Sequence, residues 1–174
     1  MVYKNFDITW IPLIKINRAI GISHCPGKST KDRGCLDQLN NDLKSLKHQK
    51  VDVIISLTHK VEIERLGISN FEKSIKNFGF IHFVEPIEDF SVPKSHRTKK
   101  LTNLIQKIFT FLEDGKSVLI HCNAGLGRSG LIAALLIKFK CGFEDPVSHV
   151  RNFCSGAIET DEQLSFVVDF DFTD

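Results

Sequence analysis

Apolar positions recur along this chain in two rhythms, one helical and one extended. Leu36, Leu39, Leu43 and Leu46 stand three to four residues apart and predict an amphipathic helix over 35–48. Val51 to Leu57 is a short run apolar on both sides, the pattern of a strand buried in a parallel sheet. Val61 to Leu66 predicts one short helix. Ile68, Phe71, Ile75 and Phe78 predict a second, ended by Gly79. Phe80 to Val84 reads as the next strand. Leu101, Leu104, Ile105, Ile108 and Leu112 mark a long amphipathic helix over 94–113, stopped at Gly115. Ser117 to Ile120 is a buried strand and Leu131 to Ile137 a buried helix. A stripe of Val147, Val150, Arg151 and Cys154 predicts a helix over 144–154. Thr160 and Asp161 are set to cap a last helix holding Leu164, Val167 and Val168. At the start, Phe6 to Ile16 mixes aromatic and β-branched residues around Pro12, which suits an edge strand or hairpin. Ala19 to Ser23 reads as a second short strand, followed by a turn-rich loop, His24-Cys25-Pro26-Gly27-Lys28.

Strands alternating with helices build an α/β fold: a central, mostly parallel twisted sheet with helices on both faces. A length of 174 residues suits a single domain spanning 1–174. Ligands in such sheets bind beyond the carboxyl ends of the strands. The 23 basic and 21 acidic residues leave a formal charge of +2, too balanced to point to nucleic acid. Five cysteines at irregular spacing form neither a disulfide framework nor a zinc pattern, and the seven histidines lack metal-ligand spacing, so neither metal nor organic cofactor is expected. With no charged-then-apolar leader and no apolar run of spanning length, a reducing cytoplasm and no membrane association are expected.

Chemistry concentrates in His121-Cys122-Asn123-Ala124-Gly125-Leu126-Gly127-Arg128-Ser129-Gly130, between the strand at Ser117–Ile120 and the helix at Leu131–Ile137. A cysteine at a strand end, followed by a glycine-bearing loop that curls into a helix N-terminus, makes an anion cradle. Backbone N–H groups converge there, and the helix dipole adds about half a positive charge. Cys122 in that ring should be a thiolate at neutral pH, since such surroundings lower a cysteine from about 8.5 to roughly 3.5–7.5. Arg128 offers a planar fork to two phosphate oxygens. Gly125 and Gly127 let the backbone approach the anion. Ser129 is placed to donate a hydrogen bond to the sulfur. The bland alternative, a buried free cysteine beside an ordinary turn, leaves the agreement of strand, Cys, Gly-x-Gly-Arg-Ser and helix unexplained. A sulfurtransferase loop is the nearest chemical rival.

Hydrolysis of a phosphate ester also needs an acid near the sulfur. The loop Glu85-Pro86-Ile87-Glu88-Asp89-Phe90-Ser91-Val92-Pro93 follows a strand end and supplies three candidates, Glu85, Glu88 and Asp89; spacing does not choose among them. Phe90 is either a core anchor or an aromatic across the site mouth. Two basic clusters have both a solvated-surface and a binding reading: Lys28, Lys31 and Arg33 as a rim beside the anion site, and Lys94, His96, Arg97, Lys99 and Lys100 as a recruiting patch near the acid loop.

His-Cys-x-x-Gly-x-x-Arg-Ser, spelled in full by residues 121–129, resembles the signature of the cysteine-dependent tyrosine and dual-specificity protein phosphatases. The likeness is to the group of the cyclin-dependent kinase-associated phosphatase and its bacterial and viral look-alikes. It extends to Cys25-Pro26-Gly27-Lys28, Pro86-Ile87-Glu88-Asp89 and Gly156-Ala157-Ile158-Glu159-Thr160, and so covers most of the chain. The resemblance implies a protein tyrosine phosphatase-like fold and a phosphoprotein phosphatase acting through a cysteinyl-phosphate. It makes Cys122 the nucleophile, Arg128 the phosphate clamp and Asp89 the general acid. Ser129 eases thiolate departure, and residues 123–128 form the phosphate loop. His121 supports the loop, and Gln163 stands where the family keeps a glutamine that helps place water. Asn123 and Leu126 are uncharged where inositol-phosphate enzymes tend to carry lysine, which favours a phosphorylated protein, a protein kinase among the candidates, as substrate for a monomeric enzyme. A silent phospho-binding or kinase-regulating module and a phosphoinositide or small-molecule phosphatase are the alternatives.

Overall fold

A computed structural model of the chain describes residues 5–30, 33–141 and 144–172. Strand β1 (Thr9–Leu13) runs antiparallel to β2 (Arg18–Ser23), with Pro12 opposite Ala19 on the outer edge as its missing N–H requires. A small antiparallel ribbon, β3 (Lys28–Thr30) with β4 (Arg33–Gly34), occupies a stretch the sequence reads as plain loop; Lys31, between them, lies outside the described residues. Helix α1 (Leu36–His48) follows, then β5 (Val53–Ser56), α2 (Lys60–Arg65), α3 (Phe71–Asn77) and β6 (Ile81–Val84). A 3-10 turn at Ser95–Arg97 leads into α4 (Thr98–Glu113), where periodicity alone places one helix over 94–113. The chain closes with β7 (Val118–His121), α5 (Gly127–Leu136), α6 (Pro146–Phe153) and α7 (Asp161–Asp169).

The five long strands form one sheet in the order β1-β2-β7-β5-β6, parallel except for β1. Side chains alternate between faces along each strand, and this sorts the core in two. Ile20, Ile22, Val53, Ile55, Val118 and Ile120 pack with apolar residues of α4 to α7. Ile54 and Leu119 pack with those of α1, α2 and α3. Helix α5 starts four residues before the apolar run that announces it, and all ten of its residues are buried. Arg128 and Ser129 therefore lie in its first turn.

Ser23, His121, Ser56 and Val84 are register partners at the carboxyl ends of β2, β7, β5 and β6. The segments that leave those ends carry Cys25, Cys122, the start of α2 and the acid loop. Among the described residues, no helix is long and apolar enough to cross a membrane.

Candidate active site

Strand β7 delivers Cys122 to the sheet edge, where the sulfur is almost fully buried and accepts a hydrogen bond from the Gly125 N–H at 3.1 Å. That short return requires Gly125 at φ +82° and flush against β2: a Cβ there would lie 2.4 Å from the Ser23 carbonyl carbon. Not every loop N–H joins the cradle. Gly127 donates instead to Glu159 Oε2 at 2.9 Å, so the sequence-based count of converging donors is one too many. Asn123 is fixed from outside: Lys28 Nζ donates to its carbonyl at 3.2 Å and to its Oδ1 at 2.8 Å, and Cys25 N–H donates to the same carbonyl. Of the two readings of the basic loop, Lys28 fulfils the rim.

Arg128 is 1% exposed, yet four of its five N–H groups are spoken for. Nη1 donates to Glu62 Oε1 at 2.8 Å and to the Ile87 carbonyl at 2.9 Å. Nη2 donates to Glu62 Oε2 at 2.9 Å and lies 2.9 Å from Asp89 Oδ1. Nε is buried with no partner among the described residues. Burial opposes the guanidinium charge, but Glu62, Cys122 and Asp89 outweigh it and raise its affinity for the proton. Burial likewise opposes ionisation of Glu62, whose bonds from Arg128 and from the His59 N–H nonetheless hold it below the usual carboxylate range.

The three acid candidates separate cleanly. Glu85 is buried and closed off: Arg97 holds it through Nε at 2.8 Å and through Nη2, and Lys100 Nζ reaches its other oxygen at 2.6 Å. This absorbs two members of the basic cluster at 94–100 into structure. Glu88 points outward, 3.3 Å from His59 Nε2. Asp89, 44% exposed, reaches the arginine. Phe90, at φ +57° and 58% exposed, is no core anchor.

His121 is fully buried and points to the α1–α3 face, its ring edge-on to Phe71. Nδ1 lies 3.3 Å from the Cys122 carbonyl and Nε2 2.6 Å from Ser56 Oγ. Burial, with nearby cationic groups adding to it, drives its pKa down to about 3, so the imidazole is neutral. Ser129 Oγ is buried without a partner among the described residues; the hydrogen bond to sulfur expected of it is not made, and Gly125 supplies that donor. Gln163 is fully buried and spends its amide on structure. Oε1 accepts from the Glu159 N–H at 2.9 Å and Nε2 donates to the Ser91 carbonyl at 3.1 Å, which ties the acid loop to the carboxylate that holds Gly127.

Two functional carboxylates escape the sequence reading. Glu62 sits in the first turn of a short helix leaving a parallel strand, the edge where a buried arginine needs its counter-ion. Glu159 lies within a matched motif but shows no chemistry until Gly127 is placed beside it. Between α2 and the acid loop lies a cleft of about 520 Å³, lined by His59, Glu62, Arg65, Glu88, Asp89 and, from the phosphate loop, Asn123. No group of three or more His, Cys, Asp or Glu side chains among the described residues is arranged to hold a metal ion.

A buried cysteine and arginine joined by a strand-to-helix loop, on a parallel sheet flanked by helices, define the protein tyrosine phosphatase class. The family model described as "Polymorphic toxin system, DSP-PTPase phosphatase" matches residues 29–140. The chain belongs to this family of dual-specificity phosphatases, and so to the hydrolases. It is 25% identical to cyclin-dependent kinase inhibitor 3 of Rattus norvegicus over 170 residues, covering 94% of this chain and 78% of that protein. Against the protein of the same name from Sus scrofa the identity is 29% over 171 residues, with the same coverage. The fold superposes on a solved structure of kinase associated phosphatase, in which serine replaces the catalytic-site cysteine, with a TM-score of 0.84 at 25% identity, covering 94% and 93% of the two chains.

Proposed function

We propose that the protein hydrolyses phosphotyrosine and phosphoserine or phosphothreonine in phosphorylated proteins through a cysteinyl-phosphate. The observation that carries this reading is the unpartnered Nε–H of Arg128, a buried cationic donor at the loop that holds the Cys122 sulfur. A buried guanidinium N–H at a cysteine-bearing loop suits the planar oxygens of a phosphate.

Cys122 attacks phosphorus in line with the leaving oxygen. The remaining loop N–H groups, the helix dipole and Arg128 Nε carry the charge on the equatorial oxygens, in an arrangement set before substrate arrives. Glu62 and Asp89 together bring two negative charges to one arginine. An incoming phosphate dianion therefore displaces Asp89 from Nη2, which frees that N–H for the phosphate and turns the carboxyl toward the leaving group. Released from the arginine, Asp89 takes up a proton from solvent, donates it to the departing alkoxide or phenoxide and then accepts a proton from the water that cleaves the thiophosphate. Ser129 assists thiolate departure once the sulfur carries phosphate. Gln163 acts through the acid loop it braces.

A protein substrate is supported by the uncharged Asn123 and Leu126, with Lys28 as the one cation from outside the loop bonded to it among the described residues. A kinase as that substrate is supported by the names of the relatives. A monomer working in the reducing cytoplasm, where the thiol stays free, completes the reading.

The test is hydrolysis of para-nitrophenyl phosphate and of phosphopeptides under reducing conditions. Wild type turns over, Cys122→Ser is inactive, and Asp89→Asn loses about 10²–10⁴-fold in kcat on phosphothreonine peptides. Phosphopeptide binding without turnover in wild type would establish the silent binding module instead. Turnover confined to phosphoinositides would establish the lipid phosphatase.

A further inference from the structure

Helix α2 lines the cleft with Val61, Glu62 and Arg65; its other residues Lys60, Ile63 and Glu64 line a second cavity, of about 560 Å³, that the proposed reaction does not use. Ile63, Phe71 and Val84 contribute apolar walls; Ser56, Thr58 and His82 contribute polar groups. The charged residues that line it are Lys60 and Lys73 against Glu64 and Glu72, which sum to zero. The volume falls in the range of roughly 300–1,000 Å³ typical of small-molecule sites.

One polar group in this cavity has bonding capacity left over. The Thr58 hydroxyl is buried away from the space. The open group is His82, and donor counting identifies the atom. The Cys122 carbonyl can only accept, so His121 Nδ1 carries the proton. The neutral ring then accepts at Nε2 from the Ser56 hydroxyl, 2.6 Å away. Ser56 Oγ, its proton committed, accepts from His82 Nε2–H at 2.8 Å. Burial lowers His82 to about 4, so it too is neutral, and its Nδ1 is left as a bare acceptor. One directional chain of hydrogen bonds therefore runs from the cavity to the backbone of the nucleophile.

We propose that this cavity binds a small neutral molecule with an apolar ring and one hydroxyl or primary amide, and that its occupant acts on Cys122 through His82, Ser56 and His121. The ligand hydroxyl donates to His82 Nδ1, and its ring packs on Phe71, Ile63 and Val84. A charged ligand is disfavoured because the lining offers no net counter-charge and burial of an unpaired ion is costly. A donor at Nδ1 polarises each bond in the chain in the same sense, as linked hydrogen bonds do.

Benzyl alcohol is the probe, titrated into the full chain while the imidazole nitrogens of His82 and His121 are followed by NMR. Wild type gives a saturable shift at His82 and a smaller one at His121. Ser56→Ala, which cuts the chain between the two imidazoles, keeps the shift at His82 and removes the one at His121. Val84→Trp fills the cavity and abolishes the shift; Val84 is partly exposed on an edge strand, where tryptophan is well tolerated. The coupling is read as the rate at which iodoacetamide alkylates Cys122, which changes at saturation in wild type and not in Val84→Trp. This readout needs Cys122 to be a reactive thiol but needs no turnover, so it stands apart from the phosphatase assay. Absence of a saturable shift at millimolar probe, or an equal shift in Val84→Trp, overturns the site. Saturable binding with unchanged alkylation overturns the coupling.

Discussion

Glu62 holds Arg128 by both prongs of its guanidinium, Nη1 to Oε1 at 2.8 Å and Nη2 to Oε2 at 2.9 Å. A residue of α2 thus sets the plane in which a residue of α5 meets phosphate. Glu62→Gln keeps the shape and loses the charge, and the fork is free to rotate. A displacement of about 1 Å at a positioning group costs on the order of 10²-fold in kcat/KM, and a loss of that size is expected with para-nitrophenyl phosphate. Glu62→Ala adds a stability loss of about 3 kcal/mol by urea unfolding, because Arg128 remains buried with Asp89 as its sole carboxylate. Full kcat/KM in Glu62→Gln would remove Glu62 from the positioning of Arg128.

The buried histidines make stability depend on pH in a definite direction. Unfolded, both titrate near 6.5; folded, His121 is driven down to about 3 and His82 to about 4. Between those values the unfolded chain binds more protons, so acid favours unfolding. Stability is complete above about pH 6.5 and falls on acidification by about 1.4 kcal/mol per pH unit for each histidine. His82→Asn should reduce that slope by one histidine's share. Glu62 adds its own loss further down, as pH falls through its depressed folded value. Urea unfolding across this acid range measures the slope, and a flat profile contradicts the burial of neutral imidazoles.

Gly125→Ala and Gly156→Ala form a matched pair. At Gly125 the backbone is left-handed and a Cβ meets the Ser23 main chain at 2.4 Å, so the substitution costs more than about 3 kcal/mol and abolishes turnover. At Gly156 the nearest atoms are Leu126 methyls at 3.6 Å, and the change stays within about 0.5 kcal/mol. Thermal melts of the two variants decide it.

Gln163→Ala unties Ser91 from Glu159. Two partly buried backbone groups lose their partner, a destabilisation of about 1 kcal/mol. The acid loop loosens while the nucleophile stays in place, so kcat falls about tenfold with KM little changed. The acid limb of the pH–rate profile shifts with it. A fall in KM-dependent rate alone would make Gln163 a substrate contact instead.

The order of elements was readable because each strand and helix carries its own apolar rhythm, and the loop at 121–130 because its chemistry is local in sequence. What was hidden is non-local. Glu85 and Asp89 are both loop acids, and only packing shows that Arg97 and Lys100 close on the first while Arg128 meets the second. Glu62 looked like any polar position on a short surface helix. Ser129 was given a bond that Gly125 makes, because sequence spacing carries no direction for a hydroxyl. The ribbon of β3 and β4 escaped notice for want of any alternation in so short a stretch.

Helix α5 is buried over its whole length, Arg128 and Ser129 included, and the four residues of β7 are buried as well. Cys122 and Arg128 stand at the junction of these two elements, while Glu88, Asp89 and Phe90 face water. Amides at the junction can trade hydrogen with solvent only when the whole chain opens, whereas those of the acid loop do so by local fluctuation. Inheritance meets the same division. Substitutions that move the nucleophile forfeit the fold before they alter its preferences, so a lineage that changes substrates must do so through the rim, at Lys28, Asn123, Leu126 and Phe90.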